Sequence, residues 1–215
     1  MKELATRTAV GIILIGIALA SALFGGTVFA VLVALMTTIM YVEWSKMVGR
    51  WGWPWMVFGF FYCLLPAVSL LWIREQAGPN GIGRDFDLLI WVFLVVWSTD
   101  IGAYFAGRAI GGPKLAPSIS PNKTIAGLVG GVVCAAVLAG LWANYVDLPA
   151  ILLWMSVPFA VMAQLGDLFE SGLKRKAGVK DSGTWLPGHG GLLDRLDGLV
   201  PVAILTASLM VANLL

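Results

Sequence analysis

Long apolar stretches, separated by short polar connections, run along the whole chain. A transmembrane helix needs about 20 predominantly apolar residues, and several stretches come near that length. Glycines, prolines and charged residues interrupt them, as at Gly25 and Gly26 and around Asp147. The pattern predicts an all-α, polytopic integral membrane protein with about seven transmembrane helices, at residues 8–24, 27–47, 54–73, 88–106, 124–145, 148–166 and 196–215.

Composition favours a single membrane-embedded domain. Of the 215 residues, 59% are hydrophobic and only 12% are charged, whereas a soluble domain needs more charge to cover its core. We therefore expect one domain, 1–215, with N-terminal spans in 1–87 and the polar motifs in 88–215. The first apolar stretch is longer than a signal-peptide core and further spans follow it, so we expect a first span there. Cys63 and Cys134 show no metal or disulfide spacing and are expected to pack against neighbouring side chains.

Basic residues predict the orientation of the chain. Two connections are long, 107–123 and 167–195, and they hold most of the polar residues. Lysine and arginine are retained on the cytoplasmic side of a membrane. With the N-terminus inside, only Arg74 and Arg84 of the 14 basic residues lie outside. Both long polar loops are therefore predicted to be cytoplasmic.

Asp100 interrupts the fourth apolar stretch. A carboxylate at the centre of a span costs about 2.5–3.5 kcal/mol on insertion scales, so an acid in a span is a candidate for function. Tyr104 follows one helical turn later on the same face. The alternative is an aspartate that only bonds to a neighbouring helix or reaches the membrane surface.

A second polar group lies at the end of the sixth stretch. Gln164, Asp167, Ser171 and Lys174 are at helical spacing, with Glu170 close beside them. A solvated helix end would scatter its polar residues around the helix, whereas these form one stripe. The stripe favours a site at the membrane surface.

The glycine-rich connection that follows contains acids and bases close together. Asp194 and Asp197 stand three residues apart, and such carboxylates suit a hard cation like Mg²⁺ that is shared with phosphates. Lysines and arginines nearby suit the phosphates themselves, and glycines allow backbone N–H groups to approach an anion. His189 is the only histidine, and its spacing alone does not decide whether it is functional. This segment predicts phosphate-and-metal chemistry.

The stretch 171–197 contains Ser171, Lys174, Arg175, Lys180, Asp181, His189, Gly190, Gly191, Asp194, Arg195 and Asp197. It resembles the signature of the phosphatidate cytidylyltransferase family, also called CDP-diacylglycerol synthases. The resemblance extends upstream to residues 100–108, to residues 112–124, to Glu43 and Trp44, and to Arg7 and Thr8. There are two departures. The chain is shorter than expected between Trp44 and Asp100, and Ala126 stands where the family often has Glu or Gln.

The resemblance implies the reaction of CTP with phosphatidate to give CDP-diacylglycerol and pyrophosphate, catalysed by the 88–215 half. Mg²⁺ is the implied cofactor, with a second cation left open. The implied partners are CTP, phosphatidate and membrane lipid, with no nucleic acid and with a homodimer left open. The implied location is the bacterial inner membrane.

The resemblance also implies roles for individual residues. Asp167 and Asp194 are the expected metal ligands, with Asp197 and Glu170 as further ligands or supports. Lys174, Arg175 and His189 are expected to complete the catalytic set. The expected substrate-binding residues are Asp100, Tyr104, Lys114, Ser120, Lys123, Ser171, Lys180, Asp181, Gly190, Gly191 and Arg195.

Three other classes of protein share parts of this pattern. A related CTP-dependent membrane lipid kinase would use similar anions and metal, and it stays open as the alternative. A CDP-alcohol phosphotransferase is disfavoured because its aspartate motif is missing from the chain. A transporter or channel would place carboxylates in spans without needing a glycine-rich loop of Lys, Arg and Asp.

Overall fold

The computed structural model describes residues 2–75, 84–186 and 190–215, and it is nearly all helical. One two-stranded antiparallel hairpin interrupts the helices. In chain order the elements are α1 Lys2–Phe24, α2 Gly26–Val48, α3 Trp53–Glu75, α4 Arg84–Ala109, β1 Lys114–Ala116, β2 Ser120–Thr124, α5 Ile125–Tyr145, α6 Ile151–Ala177, α7 Leu193–Leu196 and α8 Leu199–Val211.

The structure supports an integral membrane protein, but it does not confirm seven spans. Within the described residues, five helices are long and apolar enough to cross a membrane, namely α2, α3, α4, α5 and α6. The predicted first and last spans correspond to shorter apolar helices, Val10–Phe24 and Leu199–Val211. In the last predicted span, a two-residue turn at Asp197 and Gly198 separates α7 from α8, and α8 ends at Val211. The Gly198 N–H there donates to Asp197 Oδ1 at 2.8 Å, outside the helical hydrogen-bond pattern.

Both long polar connections contain regular secondary structure. In the first, β1 pairs with β2 so that Lys114 opposes Thr124 and Ala116 opposes Ser120. Thr124 then caps α5, since its Oγ1 accepts the Gly127 N–H at 3.0 Å. In the second, α6 continues to Ala177 and ends at Gly178, whose φ of 73° is the left-handed conformation common after helix ends.

Small residues bring α4 and α5 close together. A Cβ on Gly102 would lie 2.7 Å from the carbonyl oxygen of Gly130, and one on Gly131 would lie 2.7 Å from that of Thr99. Helices in membranes pack most closely where such small residues meet. This packing fixes the α4 backbone around Asp100 against α5, and the hairpin joins the two helices at the same end.

At the end of the helices away from the hairpin, polar side chains donate hydrogen bonds to backbone carbonyls. Arg74 is buried near the end of α3, where its Nε donates to the Ala22 carbonyl at 2.7 Å and its guanidinium reaches the Leu23 carbonyl at 3.4 Å. These carbonyls lie in the last turn of α1, where a helix leaves its acceptors without partners. Trp142 Nε1 likewise donates to the Asp87 carbonyl at 2.9 Å. Gly25 continues the chain with a φ of 60°, directly against Arg74.

Candidate active site

A cavity of about 710 Å³ opens at the hairpin end of the molecule. Both long polar connections contribute to it, as do α4, α5 and α6. Its charged lining residues are Asp100, Arg108, Lys123, Asp167, Lys174, Asp181, Asp194, Arg195 and Asp197. The sequence motifs that lie far apart in the chain are therefore brought into one site.

Asp100 lies on the cavity wall formed by α4. Asp167 and Asp197 line the same cavity, and like charges act on Asp197 from Asp167 and from Asp100. Placing such charges close together is unfavourable unless a role or a counter-charge compensates for it. Lys123 and Arg195 act on Asp100 as counter-charges. Asp100 thus lies among the charged groups of the cavity, and its functional role stays a prediction.

The polar stripe on α6 faces the cavity, as its spacing indicates. Gln164, Asp167 and Lys174 line the cavity. Asp167 Oδ2 lies 2.5 Å from Lys123 Nζ, which comes from β2. Ser171 donates to Asp167 Oδ1 at 3.2 Å and so orients this carboxylate from the next turn of the helix. The stripe and the hairpin are thus joined by one ion pair.

Asp194 accepts hydrogen bonds with both of its oxygens. Oδ1 accepts from Lys174 Nζ at 2.6 Å, and Oδ2 accepts the backbone N–H groups of Ser182 and Gly191 at 2.9 and 2.8 Å. Burial alone would raise the pKa of Asp194, but contacts with Glu170, Lys174 and the Gly191 N–H hold it below its usual value. Asp194 is therefore a charged group that the chain holds in one orientation.

Lys174 lies between two carboxylates. Its Nζ is 2.6 Å from Asp194 Oδ1 and 3.2 Å from Glu170 Oε1. Glu170 is fully buried and does not line the cavity. Its carboxyl group contacts the Lys174 ammonium, so the geometry favours a supporting role over direct metal ligation.

Several predicted residues do not line the cavity. Arg175 is exposed and its Nε donates to the Ile119 carbonyl at 3.2 Å, which ties α6 to the hairpin. Gly191 contributes its N–H to Asp194, as described above. His189 lies outside the described residues. The substrate-binding roles of the remaining residues outside the lining stay predictions: Lys114, Ser120, Ser171, Lys180 and Gly190.

Some lining residues were not among the predicted site residues. Arg108 is one turn beyond Tyr104, and its guanidinium donates to the Tyr104 hydroxyl at 3.1 Å. The four-residue spacing from Tyr104 could have indicated this pair. Asn122 and Thr124 also line the cavity, within a segment that the resemblance included without assigning them a role.

Comparison with known proteins identifies the family. Residues 50–212 match the model of the cytidylyltransferase family. The chain belongs to this family.

Relatives in the cytidylyltransferase family share nearly half of the aligned residues. A protein of Brucella suis biovar 1 (strain 1330), named phosphatidate cytidylyltransferase, is 46% identical over 178 residues, which cover 81% of this chain and 62% of that protein. A protein of the same name from Staphylococcus epidermidis (strain ATCC 12228 / FDA PCI 1200) is 48% identical over 153 residues, covering 70% and 58% of the two chains. The chain thus spans about three fifths of these relatives' length.

The donor chemistry of the cavity fits a hard cation. Carboxylate oxygens are the ligands that Mg²⁺ prefers, and Asp100, Asp167, Asp194 and Asp197 all present carboxylates to this cavity. Within the described ranges, however, no three acidic, histidine or cysteine side chains are grouped as metal ligands. Asp167 and Asp194 are instead bonded to Lys123 and Lys174. Asp181 lines the cavity as well, and which of these five carboxylates hold a metal stays a prediction.

An apolar cleft of about 310 Å³ adjoins the charged cavity. The two share Asp100, Asp194, Arg195 and Asp197. Away from these residues, the cleft is lined by apolar side chains of α1, α2 and α4, such as Leu14, Phe29 and Phe93. A ligand with a charged head and an apolar tail could therefore place each part in a matching environment.

Proposed function

We propose that this chain transfers the cytidylyl group of CTP to phosphatidate, giving CDP-diacylglycerol and pyrophosphate. The proposal rests on one observation: the charged cavity and the apolar cleft adjoin each other and share the lining residues Asp100, Asp194, Arg195 and Asp197. A nucleotide and a phospholipid headgroup need the first environment, and acyl chains need the second. The relatives named phosphatidate cytidylyltransferase support the same reaction.

The cations of the cavity suit a reaction between two anions. CTP and phosphatidate repel each other, so the site must neutralise phosphate charge and hold both molecules in line. Arg108, Lys123, Lys174 and Arg195 line the cavity from four different segments. Such groups can hold phosphates from several sides, which neutralises their charge and restricts their orientation.

In the proposed reaction, a phosphate oxygen of phosphatidate attacks the α-phosphorus of CTP. The new P–O bond forms as the bond to the β-phosphate oxygen breaks, and pyrophosphate leaves with the electron pair. Asp167 and Asp194 would hold Mg²⁺, with Asp197 in support, and the bound ion would supply positive charge at the phosphate oxygens. Lys123 and Lys174 would exchange their carboxylate partners for phosphate oxygens when the substrates bind.

We further propose that the cavity faces the cytoplasm from a bacterial inner membrane. The positive-inside rule supports this orientation, since the hairpin and the end of α6 carry many of the basic residues. CTP would then enter from the cytoplasm, while phosphatidate would keep its acyl chains in the bilayer and the cleft.

The test is a reaction of the purified protein with CTP and Mg²⁺ in vesicles that contain phosphatidate. Mass spectrometry of the lipids should find CDP-diacylglycerol, with an equal amount of pyrophosphate in solution. Vesicles with diacylglycerol in place of phosphatidate should give no product. Formation of phosphatidate and CDP from diacylglycerol would instead support the lipid-kinase alternative and overturn the proposal.

A further inference from the structure

Glu43 is a fully buried carboxylate on α2. It does not line the cavity, and the proposed mechanism gives it no part. A buried charge is unfavourable unless hydrogen bonds or an opposite charge compensate for it. The partners of Glu43 therefore show what this residue does.

Three donors from the segment that leads into α7 bind the Glu43 carboxylate. Oε1 accepts the Leu192 N–H at 3.0 Å, and Oε2 accepts the Leu193 N–H at 2.8 Å and the Ser182 hydroxyl at 3.0 Å. All three come from residues at least 139 positions away in sequence. A single side chain of α2 thus fixes both Ser182 and the backbone at 192–193.

The same backbone also holds Asp194. Ser182 donates its N–H to Asp194 Oδ2 and its hydroxyl to Glu43, so it bonds to both carboxylates. Gly191 donates its N–H to Asp194 Oδ2, and the next two N–H groups go to Glu43. One segment is therefore held between a buried carboxylate and a carboxylate of the cavity.

Close packing leaves little room for this segment to shift. A Cβ at Gly191 would lie 2.7 Å from Glu43 Oε2, and a Cβ at Gly183 would clash with Oε1. The α2 side of the contact is fixed as well. The neighbouring Trp44 is fully buried, and its Nε1 donates to the Trp55 carbonyl of α3 at 2.9 Å.

We propose that Glu43 is a positioning residue that holds the backbone at 182 and 191–193, so that Asp194 and its partner Lys174 keep their places in the cavity. The proposal rests on the proposed function only for its activity measurement. Mutation of a residue that orients a metal-binding side chain commonly lowers metal affinity or activity by about 10- to 100-fold.

Glu43→Gln tests the proposal, because an amide keeps the size of the side chain but replaces one acceptor with a donor. Hydrogen exchange measured on the full-length protein without substrate should become at least about tenfold faster for amides 191–194. Peptides from the hairpin, 114–124, should be unchanged. In the CTP assay, the Mg²⁺ concentration that gives half-maximal activity should rise by about 10- to 100-fold.

Ser182→Ala is the second variant. It removes one of the three donors and keeps the carboxylate, so the same amides should exchange faster to a smaller extent. Arg74→Met is the matched control, since Arg74 is also a buried charged residue that bonds to backbone, at the other end of the helices. It should lower the melting temperature without changing exchange at 191–194 or the Mg²⁺ dependence.

Unchanged exchange at 191–194 in both variants would overturn the proposal. So would a uniform increase of exchange across all helices in Glu43→Gln together with no local change in Ser182→Ala, since that pattern describes a residue that only supports packing. The exchange measurement uses neither CTP nor lipid. It therefore tests the role of Glu43 even where the assay finds no transfer to phosphatidate, a result that would count against the proposed function alone.

Discussion

The two ends of the helices use buried polar groups differently. At the end away from the hairpin, Arg74 and Trp142 each donate to backbone carbonyls of neighbouring helices. At the hairpin end, carboxylates and cations from α4, β2, α6 and α7 face one cavity. Asp100, Asp167 and Asp197 are placed there despite their like charges.

We expect this difference to separate polar groups that stabilise the fold from polar groups that act on a substrate. A group that serves only the fold needs one set of partners, which the backbone supplies at Arg74. Like charges that face an open cavity make the fold less stable unless counter-charges or a ligand compensate for them. The contrast predicts that substitutions at the hairpin end reduce turnover, while substitutions at the opposite end reduce stability.

The largest expected contrast is in chemical labelling of the two ends. In a variant with Cys63→Ala and Cys134→Ala, Ser118→Cys marks the hairpin end and Tyr145→Cys marks the far end of α5, both at exposed positions. A membrane-impermeant maleimide added to intact cells should label only Tyr145→Cys, because the basic hairpin end is expected to be cytoplasmic. Ser118→Cys should react after permeabilisation. Labelling of Ser118→Cys in intact cells would contradict the orientation.

Removing one charge from Asp167 or Asp194 should have the next largest effect. Asp167→Asn and Asp194→Asn keep the shape of the side chain but weaken the hold on a cation and on Lys123 or Lys174. We expect turnover to fall by at least about 100-fold, the scale of losing one strong transition-state contact. Asp147→Asn, the same change at an exposed site at the other end, should leave turnover near normal. Near-normal activity of either cavity variant would remove that residue from the proposed metal site.

Asp100→Asn should reduce turnover by about 10- to 100-fold without lowering the melting temperature. The amide stays polar, and the substitution relieves repulsion from the neighbouring carboxylates, so stability has no reason to fall. Kinetics and thermal unfolding in detergent check this expectation. Full activity combined with a lower melting temperature would assign Asp100 to helix packing.

Arg74→Met should have the smallest effect on turnover, within about twofold for the folded protein. It leaves the buried carbonyl of Ala22 without its side-chain donor, which costs about 1–3 kcal/mol. The melting temperature should therefore fall. A loss of turnover with unchanged stability would break the distinction between the two ends.

The helices could be predicted from sequence because length and hydropathy are local properties. Every predicted span contains a helix in the structure. The turn at Asp197 and Gly198 between α7 and α8 was not predicted. The hairpin was missed as well, because its two short strands, rich in Lys, Pro and Ser, show no alternation of apolar and polar residues.

The site could be predicted in part. Asp100, Asp167, Lys174 and Asp194 line the cavity. The first three were singled out by an acid in a span and a one-sided polar stripe, and Asp194 by its spacing from Asp197. The position of Glu170 behind Lys174 depends on which way each helix faces, which spacing alone does not give. The contacts of Glu43 join segments 139 or more residues apart, so no local pattern could reveal them.

The most direct test of the central claim follows the phosphorus atoms of CTP. Parallel reactions with phosphatidate vesicles would use CTP labelled at either the α- or the γ-phosphate. The account predicts that the α label enters the lipid and the γ label is recovered in pyrophosphate, and that Asp167→Asn reduces both by the same factor. Entry of the γ label into lipid, or transfer that is unaffected by Asp167→Asn, would contradict cytidylyl transfer in this cavity.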